Sequence, residues 1–119
     1  MNCIFCSIPK EKYLFENESF FVILDKKPVS KWHCLIISKK HFINLFDADL
    51  SILKDLDEVI EFLITKFRAK YWFDDFNLLH ASWKNAQQSI THLHIHFVPR
   101  YKNDWLDLWL KNNLIENFF

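Results

Sequence analysis

The spacing of apolar and polar positions changes several times along the chain. Phe20-Phe21-Val22-Ile23-Leu24 is a short unbroken apolar run closed by Asp25-Lys26-Lys27-Pro28, which predicts a strand and then a turn. Residues 33–37 form a second short apolar run and predict a buried strand. Farther on, Ile52, Leu53, Leu56, Val59, Ile60, Leu63, Ile64 and Phe67 recur at helical spacing, with Lys54, Asp55, Asp57, Glu58, Glu61 and Lys66 between them. This predicts an amphipathic helix of about five turns, with Asp47 or Asp49 as candidate caps. Residues 76–79 and 91–98 read as two further strands, the second ended by Pro99. The tail over 105–115 is again amphipathic and predicts a short helix. Strands, long helix, strands, short helix in that order predict an α+β fold with an antiparallel sheet. No repeat or linker interrupts residues 1–119, a length that makes one domain.

Composition narrows the functional classes. The chain has no glycine, which excludes the glycine-rich phosphate loops of Walker A and Rossmann type. Its turns are expected to use Asn, Asp and Lys instead. Fifteen basic residues balance fifteen acidic ones, so no long-range field points to a nucleic acid polymer or a lipid surface. No apolar stretch resembles a membrane span or a signal-peptide core, and a cytoplasmic location is the expectation. In a reducing compartment the pair Cys3-Ile4-Phe5-Cys6 reads as metal-binding or redox-active. Cys34 lies within an apolar run and reads as core.

The chemistry concentrates in His92-Leu93-His94-Ile95-His96-Phe97-Val98. On a strand, alternate side chains share a face, so three imidazoles would stand in a row about 6.5–7 Å apart. The intervening Leu93, Ile95 and Phe97 would enter the core. Packing alone rarely calls for such a row, because each buried imidazole needs hydrogen-bond partners. Two chemical readings stay open on periodicity alone. The histidines hold a catalytic metal, or one of them is a nucleophile tuned by its neighbours.

The pattern His-φ-His-φ-His-φ-φ resembles the signature of the histidine triad (HIT) family. Other segments resemble that family in the same order: Cys3-Ile4-Phe5-Cys6, then Asp25, Pro28 and His33, then Lys39-Lys40-His41, then Gln88-Ser89, and finally Pro99-Arg100-Tyr101. The N-terminal Cys-x-x-Cys is similar to that of the zinc-containing bacterial-type branch. The resemblance implies a nucleotide hydrolase or nucleotidyl transferase acting at the α-phosphate through a covalent nucleotidyl-histidine. It makes His94 the nucleophile and sets His96 and His33 against phosphate oxygens. Ser89 would bind a phosphate oxygen or help protonate the leaving group, Gln88 would contact phosphate, and Asp25 would accept the ribose hydroxyls. It further implies a structural zinc held by Cys3, Cys6, His41 and His92, a nucleotide substrate such as a phosphoramidate or dinucleoside polyphosphate, and a homodimer. Two alternatives remain beside it: a catalytically weak nucleotide-binding module, and a metal-dependent hydrolase with the triad as ligands.

Several positions depart from the family pattern. Trp32, Trp83 and Gln87 stand where the family commonly has glycine or a small residue, and Ala81 where it often has asparagine. Each change adds bulk or removes a donor, and the bulk at Gln87 and Trp32 is expected to slow turnover of standard substrates through poorer positioning. His80 reads as a local hydrogen-bonding residue. Trp83, Trp105 and Trp109 read as packing or dimer contacts, and the pairs Lys26-Lys27 and Lys39-Lys40 as solvated turn charges.

Overall fold

The computed structural model describes residues 3–108. Five strands, β1 (Phe15–Glu16), β2 (Phe20–Leu24), β3 (Cys34–Ser38), β4 (Asp75–Leu79) and β5 (His94–Arg100), form one sheet in the order β1-β2-β3-β5-β4. Every pairing is antiparallel. The fold is α+β, as the order of elements predicts. Between β3 and β4 the helix α1 (Ile52–Phe62) continues through a π-turn (Leu63–Phe67) into α2 (Arg68–Tyr71). At its start Asp49 Oδ1 accepts the Ser51 N–H at 2.9 Å. That bond shapes the turn leading into the helix; the N-cap itself is Ser51, without a side-chain cap, so neither Asp47 nor Asp49 caps it as anticipated.

The sheet has two differently covered faces, and the period-two alternation of its strands assigns the residues. Phe20, Val22, Cys34, Ile36, Ile95 and Phe97 face the helix and pack with Val59, Leu63 and Phe67. Phe21, Ile23, Leu35 and Ile37 face the other way, where Phe5, Ile8 and Tyr13 of the N-terminal segment cover them. In register, Leu35 pairs with His96 and Ile37 with His94. The second face therefore carries the histidines.

Three expectations change. The last strand begins at His94, and His92 lies in the bend before it. Its main chain turns there, with His92 N–H donating to Ile90 O at 2.8 Å. The strand also runs through Pro99, because β3 pairing ends at Phe97 and only β4 continues alongside. A proline without an N–H is tolerated where one neighbour is missing. Turns such as Asn17, Asp25-Lys26-Lys27 and Lys102-Asn103 use the expected residue types, but the left-handed positions mostly do not. Positive φ falls on Trp32, Trp72, Trp83, Gln87, Asn103 and Trp105, and Asn103 alone among them is of the expected kind. Residues 105–108 of the anticipated C-terminal helix carry no helix, and the remainder, with Trp109, lies outside the described residues.

Candidate functional site

A cavity of about 890 Å³ opens on the second face. One wall is the N-terminal segment, with Ile4, Phe5 and Ile8; the opposite wall is sheet, with Ile23, Leu35, His94 and His96. Asp25, Lys26 and Lys27 border it from the turn after β2, and Ser89 from the loop before β5. An apolar cleft with a few convergent polar groups is the usual form of a small-molecule site.

His94 is 4% exposed, and its Nδ1 lies 2.7 Å from the His92 carbonyl. A carbonyl only accepts, so Nδ1 carries the proton and Nε2 keeps its lone pair. Burial holds the His94 pKa below its ordinary value, with the His92 carbonyl opposing. The ring is therefore neutral near pH 7. The His80 ring donates from Nδ1 to the His94 carbonyl at 3.0 Å, bracing the same strand.

Behind it, His33, His96 and Asp25 form a chain of defined direction. Val29 N–H donates to His33 Nδ1 at 3.2 Å, so the His33 proton sits on Nε2. That Nε2 lies 2.9 Å from His96 Nδ1 and 3.4 Å from Asp25 Oδ2. His96 Nδ1 is then the acceptor, and the His96 proton is on Nε2. Burial pushes the His96 pKa down to about 3, with the neighbouring histidines adding to it. Burial also lowers the His33 pKa, against the attraction of Asp25.

A second cluster joins Cys3, Cys6, His41 and His92. The His92 Nε2–H donates to the Ser38 carbonyl at 2.7 Å, which leaves the Nδ1 lone pair facing inward. From that Nδ1, Cys3 Sγ is 3.3 Å away, Cys6 Sγ 3.6 Å and His41 Nδ1 3.1 Å. Cys6 Sγ and His41 Nδ1 are also 3.1 Å apart. Tetrahedral bonds of roughly 2.0–2.3 Å place their donor atoms roughly 3.3–3.8 Å from one another. The cluster is close to that size, and its donor set suits a thiophilic divalent ion. Phe5, between the two cysteines in sequence, sets its ring edge-on to both His92 and His94, with centroids 5.8 and 5.1 Å away.

Most of the predicted site residues are thus brought together: Asp25, Ser89, His94 and His96 at the cavity, His33 behind them against His96 and Asp25, and the four metal candidates beside it. Gln88 is placed differently. Its Nε2 donates to the carbonyls of Ile43 and Ile90 at 2.6 and 3.0 Å, and its Oε1 accepts Trp83 N–H at 2.7 Å. Its side chain braces the loop. Sequence reasoning missed Phe5, Val29 and Ser38. The last two act through backbone groups, which leave no signature in residue type. Cys34, whose thiol burial pushes up to about 12, is core as expected.

A five-stranded antiparallel sheet with a buried histidine row at one cavity and a Cys/His cluster at its edge defines a small histidine-centred α+β domain. The chain belongs to the HIT family: the HIT domain model matches residues 8–103. An uncharacterized HIT-like protein of Methanocaldococcus jannaschii is 33% identical over 110 residues, covering 86% of this chain and 81% of its own. The adenosine 5'-monophosphoramidase of Saccharomyces cerevisiae is 31% identical over 102 residues, 82% of this chain and 62% of its own. Among solved structures, a Zn-bound histidine triad family protein from Mycobacterium smegmatis superposes with a TM-score of 0.78 at 28% identity. That match covers 96% of this chain and 86% of the other.

Proposed function

We propose that the chain is a nucleotide hydrolase or nucleotidyl transferase that works at the α-phosphate through a covalent nucleotidyl-histidine on His94. The observation that carries this reading is the 2.7 Å bond from His94 Nδ1 to the His92 carbonyl, which leaves a neutral Nε2 beside the cavity. In the first step Nε2 bonds to phosphorus while the bond from phosphorus to the leaving nitrogen or oxygen breaks. The leaving atom takes a proton from the Ser89 hydroxyl or from solvent. Water, or an acceptor hydroxyl, then attacks phosphorus and gives its proton back to that group. The phosphorus–Nε2 bond breaks and His94 regains its lone pair. The His96 Nε2–H serves a phosphate oxygen, and His33 fixes the tautomer that makes it a donor. Asp25 accepts the ribose hydroxyls, and Gln88 acts by holding the Ser89 loop.

Zinc, one ion per chain, is the metal suited to Cys3, Cys6, His41 and His92. Two thiolates and two imidazoles close its coordination, so it supplies folding energy and leaves no position for substrate. The reading of the triad as ligands of a catalytic metal is less well supported: among the described residues, the groups whose ligand atoms converge take one triad histidine each, His92 with Cys3, Cys6 and His41, and His96 with Asp25 and His33.

The protein we envisage works in the cytoplasm as a homodimer. Support for the dimer comes from β4, an edge strand that leaves Phe76 and Leu78 partly exposed. Sedimentation at micromolar concentration should return twice the chain mass, and a monomer would remove that part. The catalytic assignment is tested by the kcat/KM of His94→Asn on an adenosine phosphoramidate. The expected loss is at least about 10³-fold with the fold retained, and wild-type kinetics would refute the assignment.

A further inference from the structure

Every tryptophan among the described residues has a left-handed backbone. Trp32, Trp72, Trp83 and Trp105 have φ of 67°, 59°, 76° and 56°. Positive φ occurs at a few per cent of non-glycine residues, mostly Asn, Asp and His, and is an outlier for a bulky side chain. Each position is one where glycine has a physical reason to be. Trp72 closes the long helix with ψ 54° and donates its N–H to Arg68 O at 2.8 Å, the left-handed cap that glycine makes most often. Trp83 combines its φ with ψ −174°, a region that is essentially glycine's alone. The indoles of Trp72 and Trp105 are 87% and 88% exposed, so burial does not account for them. Trp32 does pack, stacked on Tyr71 with ring centroids 3.7 Å apart, yet its main chain has the same left-handed turn.

The missing glycines are the other half of the observation. At ordinary usage a chain of this size would have about eight, and this one has none alongside five tryptophans. We propose that positions 32, 72, 83 and 105 are glycine in the protein as its own cell makes it, because the four codons are UGA and that cell reads UGA as glycine. UGA differs from the glycine codon GGA in its first base alone, so a glycine tRNA altered at one anticodon base would decode it. Gln87, also left-handed at φ 66°, has no such codon relation and stands as a true substitution.

Residue 32 precedes His33, and the residue 83 N–H donates to Gln88 Oε1. Glycine at both removes the indole stacked on Tyr71 and the one at residue 83, and frees the backbone to adopt these turns without strain. The decisive experiment is peptide mass mapping of the protein isolated from its source cells, together with the four codons of the gene. Glycine in the peptides spanning 32, 72, 83 and 105, with UGA at each, is the expected result. Tryptophan in those peptides, or UGG codons, overturns the proposal. A second measurement tests the physical premise: Trp72→Gly/Trp83→Gly/Trp105→Gly should melt several degrees above the tryptophan-bearing chain. An equal or lower midpoint would overturn the assignment of these turns to glycine.

Discussion

The two histidine clusters of this domain are a few ångströms apart and built from the same side chain, yet their protons point in opposite senses. In the cysteine-bearing cluster, the Ser38 carbonyl draws the His92 proton outward and leaves a lone pair facing Cys3, Cys6 and His41. In the cavity cluster, Val29 N–H occupies the outer nitrogen of His33, so its proton faces inward to His96 and Asp25. The first arrangement is ready for a cation. The second holds neutral rings in a relay that ends on the His96 Nε2–H. Residue type does not separate the two, and a single backbone hydrogen bond at each does.

That contrast can be broken at either end. The largest effect is expected in the cysteine cluster. If the cluster holds zinc as proposed, Cys3→Ser or His41→Ala should lower the zinc content found by elemental analysis and cost several kcal/mol of stability, a fall in Tm of roughly 10 °C or more. The folded fraction should keep much of its activity if, as proposed, the ion is structural. Wild-type protein purified without zinc and with an unaltered Tm would erase the distinction.

The cavity cluster should announce itself through acid. His33 and His96 are held neutral by burial, with folded pKa values below the ordinary one near 6.5. As pH falls, the unfolded chain takes up these protons before the folded one. Their contribution is therefore complete above about pH 6.5 and is lost as pH falls from there toward about 3, the His96 value. Each ring should add a slope of up to about 1.4 kcal/mol per pH unit. Urea midpoints between pH 7 and 5 should show a shallower slope in His96→Asn than in wild type. An unchanged slope would mean the ring is already charged when folded.

The smallest effect sharpens the same comparison from the substrate side. Ser89→Ala should lower kcat roughly 10²-fold, the scale of a protonating or positioning group, while zinc content and Tm stay put. A loss as large as that of His94→Asn would make Ser89 an obligatory partner in the first step.

Much of this was legible in the chain. The run at 20–24 names its strand because both faces are packed, and the helical spacing after Asp49 names the helix because one of its faces is. The alternation of His94 and His96 with Ile95 and Phe97 likewise fixes which face meets the helix. His92 escaped that logic: its bend is set by the Ile90 carbonyl and by the cluster that captures its ring. Gln88 escaped it as well, since an amide can face phosphate or backbone and only the folded loop shows three backbone bonds. The left-handed tryptophans were invisible to propensity, which expects Asn or Asp at such turns.

The central claim is that His94 Nε2 becomes bonded to phosphorus. Wild-type protein mixed with excess adenosine phosphoramidate, denatured within the first turnover at neutral pH and digested, should yield a peptide containing His94 heavier by one adenylyl group. The same peptide from His94→Asn should be unmodified. Turnover in wild type with no adduct at any quench time, or an adduct on His96 or His33 instead, would contradict the account.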